Sequence, residues 1–304
     1  MSDQSIPRKR RLGFRTLEKW KDFSLALPAL LFLAIFTYFP LVSSFYISMT
    51  NWDLIKPIKK YLGFKNYERL LGDEQFYHVL KVTFTYTILD VVLSLLIGLG
   101  LALLFNHRSR AFGVMRLLIF MPYYISMVIA SMVFVWILNP EYGVLNKALH
   151  VFGIEPVYWL NDPSTALWSV VSVSVWKGVG FAMIIFIAGL RSIPTEYYEA
   201  SSIDGADKWR QLLHITIPLL SPTTLFLVIT SFISSMQVFQ SVSVMTGGGP
   251  LGTTKVMVMW IYEMAFVQFK AGKASALVII FFFIIIFFTF IQFSLSKRKV
   301  HYEG

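Results

Sequence analysis

Six stretches of this chain are long and apolar enough to cross a lipid bilayer, and nothing else in the sequence narrows its folding choices as far. A hydrocarbon core about 30 Å thick demands roughly 20 apolar residues per crossing helix, at about 1.5 Å rise each. The stretches run over Phe23–Ser48, Val79–Phe105, Gly113–Leu138, Ser164–Leu190, Pro218–Val242 and Ala274–Leu295. The last is the plainest: between Val278 and Phe293 only Thr289 and Gln292 are polar. The fourth is interrupted by Ser172, Ser174, Lys177 and Gly178, the fifth by Ser231, Ser234, Ser235 and Gln237. Lipid offers such groups no partner, so these two spans should face a protein interior or a water-filled path. The predicted fold class is therefore all-α and polytopic, with six transmembrane helices. Val256 to Phe269 is apolar too, but at about 14 residues with Glu263 inside it should lie re-entrant or interfacial on the outer side.

Composition supports a membrane protein and excludes several other classes. Hydrophobic residues make up 56% and charged residues 14%, where a soluble domain has about a quarter charged. Cys is 0, which removes disulfides, thiolate metal sites and cysteine nucleophiles. A net charge of +10 reads, in so apolar a chain, as basic membrane flanks and not as a nucleic-acid surface. With the amino terminus inside, 16 of the 27 Lys and Arg residues fall on cytoplasmic segments and 8 on outer loops. That bias predicts both termini in the cytoplasm. The basic amino-terminal stretch precedes an apolar run too long for a signal core, with no small-residue cleavage site, so it reads as a topology anchor. The expected organisation is a basic cytoplasmic tail (1–22), a first helix with its outer loop (23–78), a five-helix core (79–296) and a short cytoplasmic tail (297–304).

The predicted cytoplasmic loop 191–217 carries the strongest local signal. Pro194 suits a helix first turn, Thr195 can cap it, and Glu196 and Glu199 complement its positive end. Gly205 fits a helix stop, with Asp204 able to bond the local backbone. A second short helix, Ala206 to Ile215, then runs into Pro218. On these residues alone the product is a two-helix hairpin across the cytoplasmic mouth, either a plain surface hairpin or a docking element.

The same loop resembles the cytoplasmic signature of inner-membrane permease subunits of ATP-binding-cassette (ABC) importers: Glu-Ala-Ala, three residues, Gly, nine residues, Ile-x-Leu-Pro. Here it stands as Glu199-Ala200-Ser201, Gly205 and Ile215-Thr216-Ile217-Pro218, with Ser201 and Ile217 as mild departures. Further segments are similar to the maltose and glycerol-phosphate branch: Ile35-Phe-Thr-Tyr-Phe-Pro40, Gly63-Phe-Lys-Asn-Tyr67, Met121-Pro-Tyr-Tyr-Ile-Ser126, Asn139-Pro-Glu-Tyr-Gly-Val-Leu-Asn146 and Thr246-Gly-Gly-Gly-Pro250. The last two favour the first permease of a heterodimeric pair.

The resemblance implies the type I ABC importer permease fold and inward carriage of a sugar or oligosaccharide across a bacterial or archaeal cytoplasmic membrane. It implies a second permease subunit, two ATPase subunits, an extracytoplasmic solute-binding protein and membrane lipid as partners, and no nucleic acid. ATP and Mg belong to the ATPases, so the chain needs no cofactor or metal of its own. It agrees that no Gly-rich loop here ends in Gly-Lys-Ser/Thr. Thr246-Gly-Gly-Gly-Pro250 lacks the lysine and reads as an outer turn. The residues implied in coupling to the ATPase are Tyr198, Glu199, Ala200, Ser201, Asp204, Gly205 and Trp209. Those implied in the solute path are Lys177, Gly178, Phe181, Ser231, Ser234 and Ser235, with Phe181 or Trp176 as an aromatic platform. Ser231, Ser234, Ser235 and Val238 recur at i, i+3, i+4 and i+7, one helical face. Serine and glycine also pack membrane helices closely, so both roles stand open for them.

Asp90 and Lys177 are intramembrane charges at nearly matched depths, and an unpaired charge at mid-bilayer costs roughly 2.5–3.5 kcal/mol on insertion scales. The expectation is that they pair, or that Lys177 meets the cargo or the partner permease. An enzyme is not expected: His78, His107, His150, His214 and His301 are scattered, with no His-Glu-x-x-His or Gly-x-Ser-x-Gly. The alternatives are a permease for a peptide or amino acid and, further off, a channel or secondary transporter.

Overall fold

The computed structural model describes residues 23–55, 59–107 and 109–296. The basic tail 1–22, Arg108 and the tail 297–304 lie outside the described residues. Among the described residues helix is the only regular structure beyond an isolated bridge between Thr50 and Tyr61. Four long helices fall where the apolar stretches predict: α1 (Phe23–Ser48), α3 (Glu74–Phe105), α7 (Ala166–Ser192) and α13 (Ala271–Ser296). Short helices α2 (Lys65–Leu71) and α6 (Val144–Val151) occupy the connections.

The third and fifth stretches depart from expectation: neither is one straight helix. α4 (Arg110–Phe120) tightens into a 3₁₀ turn at Met121–Tyr124 and meets α5 (Met127–Ile137) at 99°. Pro122 sits in the first turn of the 3₁₀ segment, and Ile125 and Ser126 are extended, so no helical hydrogen bond crosses the corner. In the fifth, α9 (Lys208–Leu219) meets α10 (Ser221–Met236) at 62°. Pro222 cannot donate to the carbonyl of Pro218, and its ring displaces that carbonyl. α10 also stops at Met236, short of the predicted Val242, and α11 (Gln240–Met245) starts afresh. Among the described residues the architecture is thus four continuous spans and two bent helix pairs.

α7 is the centre. More than half of its apolar window, 56%, is buried inside the chain, against 0% for α1. Lipid tails are as apolar as leucine, so close backbone packing holds such helices together, and small residues permit it. A Cβ on Gly98 of α3 would fall 2.7 Å from the Ala182 Cβ of α7. On α7 itself, a Cβ at Gly180 would meet the Ile119 carbonyl of α4 at 2.4 Å, and one at Gly189 the Thr223 hydroxyl of α10 at 2.5 Å.

The short apolar segment expected on the outer side forms α12 (Met257–Val267), with Met257 and Trp260 buried and Glu263 paired to Lys255 at 2.7 Å. Thr246–Pro250 is a turn, closed by the Thr246–Thr254 hydroxyl pair at 2.7 Å and by left-handed Gly247 and Gly248. The chain leaving α1 is fastened to the start of α13. Gly272 donates its amide to the Trp52 carbonyl at 2.9 Å and Leu54 to the Phe269 carbonyl at 3.1 Å. From α2, the Asn66 amide donates to the Ser48 and Thr50 carbonyls, each at 2.8 Å.

The clamp rests on a missing side chain, since a Cβ on Gly272 would lie 2.1 Å from the Thr50 carbonyl oxygen. Gly272→Ala should cost about 1–3 kcal/mol, the scale of overpacking a filled site. It should lower the thermal midpoint of the purified protein; an unchanged midpoint would contradict the clamp.

Candidate functional site

Where the two bent spans meet α3 and α7, the chain encloses two adjoining cavities of about 390 Å³ and 260 Å³. They share Asp90, Tyr123, Ser174, Gly178, Ser234 and Ser235 as walls. The larger extends to Tyr86, Lys177, Gln237 and Gln240, the smaller to Ser94, Phe181, Thr230 and Ser231. All six residues expected on the solute path therefore line this space, Gly178, Ser234 and Ser235 at the waist between the cavities. Trp176 lines neither; it packs on Phe134 with ring centres 5.2 Å apart. Val238 lies beyond the end of α10, so only Ser231, Ser234 and Ser235 share that helix.

Asp90 and Lys177 face the same cavity without forming an ion pair, which corrects the first expectation for them. The Asp90 carboxylate accepts a hydrogen bond from Ser235, in the last turn of α10, and a long contact from Ser94 at 3.5 Å. One turn away, Tyr86 donates to Ser174 at 2.6 Å. Lys177 donates to the Tyr123 carbonyl oxygen and lies 5.2 Å from the Tyr123 ring centre. The physical reason is the bend. Carbonyls at a helix end lose their partners, the 99° corner leaves that of Tyr123 free, and the lysine reaches it before it reaches the carboxylate. Asp90 is satisfied by hydroxyls instead.

The corner is held against α7 in three ways. Lys177 takes the Tyr123 carbonyl, Gly180 admits the Ile119 backbone, and the Tyr123 ring stacks on Phe181 at 5.1 Å and 14°. Phe120 also stacks on Tyr123, at 5.6 Å and 9°. The result is a three-ring stack beside a polar cavity, an arrangement that can present both an apolar face and hydroxyl or amide hydrogen bonds to a polyhydroxylated ligand. Tyr123, Gly180, Gln237, Gln240 and Ser94 are site residues that the sequence reading did not assign. Pro122 inside an apolar run was the one signal for the corner, and Gly180, two residues from Gly178, carried none of its own.

The expected hairpin is present at the far end of α7. Its first helix, α8 (Thr195–Ile203), starts with Pro194 in the cap position and Thr195 inside the helix, so the threonine does not cap it. Gly205 is left-handed at φ 77°, the conformation its identity suggested. The cap of the second helix is Asp207, accepting the Arg210 amide at 2.8 Å. α8 and α9 are cross-braced. The Tyr198 hydroxyl pairs with the Thr216 hydroxyl at 3.0 Å, and the Gln211 amide donates to Ser201 and Ser202 at 3.0 Å each. Tyr198 also packs into the cluster of Leu190, Ile193 and Leu220. Of the seven residues expected in coupling, Tyr198 and Ser201 are thus braces within the hairpin, while Glu199, Ala200, Asp204, Gly205 and Trp209 are exposed. Arg191 donates to Asn106 at 3.2 Å, which puts the carboxyl ends of α7 and α3 at this same end of the molecule.

Comparison with known proteins adds a second line of inference. The family model described as binding-protein-dependent transport system inner membrane component matches residues 94–301. The trehalose/maltose transport system permease protein MalF of Thermococcus litoralis is 31% identical over 280 residues, 91% of this chain and 94% of the relative. The sn-glycerol-3-phosphate transport system permease protein UgpA of Agrobacterium fabrum is 32% identical over 283 residues, 92% and 96% of the two chains. Among solved structures, a chain of a bacterial alginate ABC transporter, in complex with an alginate pentasaccharide-bound periplasmic protein, superposes with a TM-score of 0.84. That match has 25% identity and covers 95% of this chain and 98% of that one.

The Asp90–Ser235 link joins a continuous span to the end of a broken one and should behave as a coupled pair. In a double-mutant cycle on Asp90→Asn and Ser235→Ala, read by thermal unfolding, the interaction energy should be about 0.5–3 kcal/mol. Ser235→Ala alone should be the more damaging single change, because it leaves a buried carboxylate short of its main donor. Strict additivity would dismiss the link.

Proposed function

The chain belongs to the family of binding-protein-dependent transport system inner membrane components, and from that premise we propose that it is one of two permease subunits of an ABC importer that carries a sugar or oligosaccharide inward. The observation that carries this reading is the pair of cavities at the waist of the two bent spans, walled by serines, amides and a stack of aromatic rings. The MalF relative and the alginate transporter support a carbohydrate cargo, and UgpA a polyol phosphate close to it. The chain is not an enzyme; hydrolysis of ATP with Mg belongs to two ATPase subunits.

In this mechanism a solute-binding protein delivers cargo at the end bearing α12 and the Thr246–Pro250 turn. The hydroxyls of Ser231, Ser234 and Ser235 and the ammonium of Lys177 then meet the sugar's hydroxyls in turn, with Phe181 and Tyr123 beneath the ring faces. At the opposite end the hairpin presents Glu199, Ala200, Gly205 and Trp209 to an ATPase subunit. Its cross-braces and its packing on Leu190 and Leu220 transmit the ATPase's closure to α7 and α10 as a rigid body. Because α10 ends on Ser235 and the Asp90 bond, that push reaches the waist. The second permease completes the path. The excess of Lys and Arg at the hairpin end supports cytoplasmic termini.

The test has two parts. Gly205→Val forces a β-branched residue to φ 77°, a strain of about 1–3 kcal/mol. It should reduce uptake at least tenfold while the assembled complex still hydrolyses ATP; normal uptake would remove the lever role. The chain has Cys 0, so a lone Ser202→Cys gives a clean accessibility probe. Labelling of that thiol from the cytoplasmic side only is expected, and labelling from outside would invert the topology.

A further inference from the structure

At the end of the molecule opposite the hairpin, α6 is polar toward the protein and apolar away from it. With 3.6 residues per turn, Val144, Leu145, Ala148, Val151 and the capping Phe152 recur at i, i+1, i+4, i+7 and i+8, an arc of about 120°. All five are exposed, Val151 at 81% and Phe152 at 80%. The helix meets the rest of the chain through Asn146, which is buried. The Asn146 side-chain amide donates to the Pro140 and Val157 carbonyls at 3.1 and 3.0 Å, and its oxygen accepts the Trp159 indole N–H at 2.8 Å. A helix on the surface of a water-soluble protein has the reverse polarity, with its apolar stripe against the core.

The height of α6 is fixed from both neighbouring spans. Gly143, which precedes it, donates its amide to the Asn139 carbonyl at 3.0 Å, and a Cβ there would lie 2.4 Å from the carbonyl oxygen of Ile137, the last residue of α5. The helix therefore starts flush on the end of α5. On the other side, the Trp159 carbonyl accepts from Ser169 at 2.9 Å and from Thr165 at 3.1 Å, which ties Asn146 and its indole partner to the first turn of α7. With 27 residues, α7 is about 40 Å long at 1.5 Å per residue, close to the thickness of a bilayer with both headgroup layers, about 40–45 Å. Its first turn is then at headgroup depth, and α6 with it. Trp136 in the last turn of α5, Trp168 in the first turn of α7, and Tyr142 and Tyr158 in the connection are all exposed. Trp and Tyr gather at membrane–water interfaces, where an apolar ring and a polar tip are both accommodated.

We propose that α6 is an interfacial anchor: it lies along the membrane surface, with Val144, Leu145, Ala148, Val151 and Phe152 sunk at the boundary between headgroups and acyl chains. Lys147 and His150, off that face, stay among the headgroups. An amphipathic helix of this kind is held by its buried apolar area and by attraction of its basic residues to anionic lipid. A docked protein would cover the same five side chains; the continuity of the aromatic belt with the spans, through Trp136 and Trp168, assigns the face to lipid. Because α5 packs on α11, which supplies Gln240 and Ser241 to the larger cavity, the anchor also steadies one wall of that cavity against the membrane.

The chain has Cys 0, so single cysteines can carry a nitroxide in the assembled transporter, with cysteine-free partner subunits, in nanodiscs of phosphatidylcholine and phosphatidylglycerol. Phe152→Cys, Val151→Cys and Lys147→Cys are compared by power-saturation paramagnetic resonance against oxygen, which concentrates in lipid, and a water-soluble nickel chelate. Labels at 151 and 152 should show an oxygen-to-nickel accessibility ratio roughly fivefold above that at 147. All three positions are exposed, so if one labelled complex fails to assemble, the remaining apolar position still sets the comparison with 147. Adding the solute-binding protein should leave the ratio at 152 unchanged. Equal ratios at the three positions place the face in water and overturn the proposal. Shelter of 151 and 152 from both reagents means a partner subunit covers them, and loss of oxygen access on adding the solute-binding protein makes the face its dock; either result overturns the proposal as well.

Discussion

The hydrocarbon core of a bilayer contains nothing that can hydrogen-bond a peptide group, and every feature of this chain answers to that fact. Where the backbone faces lipid it is continuous helix, as in α1, α3, α7 and α13. Where helix is interrupted, at the 99° corner after Tyr124, a freed carbonyl finds its partner inside the protein. Lys177 takes the carbonyl of Tyr123; Ser235, at the end of α10, bonds Asp90. The polar residues that look expensive in a hydropathy profile are the ones that make broken helices tolerable. Because the 99° corner and the end of α10 both face the space beside α7, the same residues also wall a cavity. Structural need and the proposed solute path converge on one set of side chains.

Close packing supplies the rest. Helices in lipid gain little from hiding apolar surface from one another, so backbones must approach. Gly98, Gly180 and Gly189 let α3, α4 and α10 come against one another or against α7 at distances that a methyl group would block. The centre of the molecule is therefore a single helix with a different glycine contact for each broken neighbour. A push on α10 and a shift of the α4–α5 corner are both movements relative to α7. In the proposed mechanism that geometry lets one hairpin, braced by Tyr198–Thr216 and by Gln211, act on the waist at Asp90 and Ser235.

The expectation of an Asp90–Lys177 pair shows where reading depth from sequence runs out. Both residues line one cavity. Their partners differ because depth fixes only one coordinate. A helix end nearer to Lys177 exposes a carbonyl, and a hydroxyl nearer to Asp90 satisfies the carboxylate. Neither the corner nor the serine's approach could be computed from spacing alone, since both arise from proline breaks whose bend angle the sequence does not state. In the same way Thr195 suited a cap, yet Pro194 took that position, and Asp207, unremarked, caps the second helix of the hairpin.

Sequence by itself determined the number and order of the apolar stretches, the all-helical class, the helical hairpin with its left-handed Gly205, the turn at Thr246–Pro250 and the family. These follow from local rules: length against bilayer thickness, the φ freedom of glycine, and a spacing pattern within one loop. Tertiary structure alone decided that two stretches are bent, that Trp176 turns away while Tyr123 joins Phe181, and that Lys177 caps a carbonyl. The reason is that period and composition specify what one helix presents to its surroundings, whereas an angle between helices, and the partner a polar atom finds there, are properties of two or more segments at once.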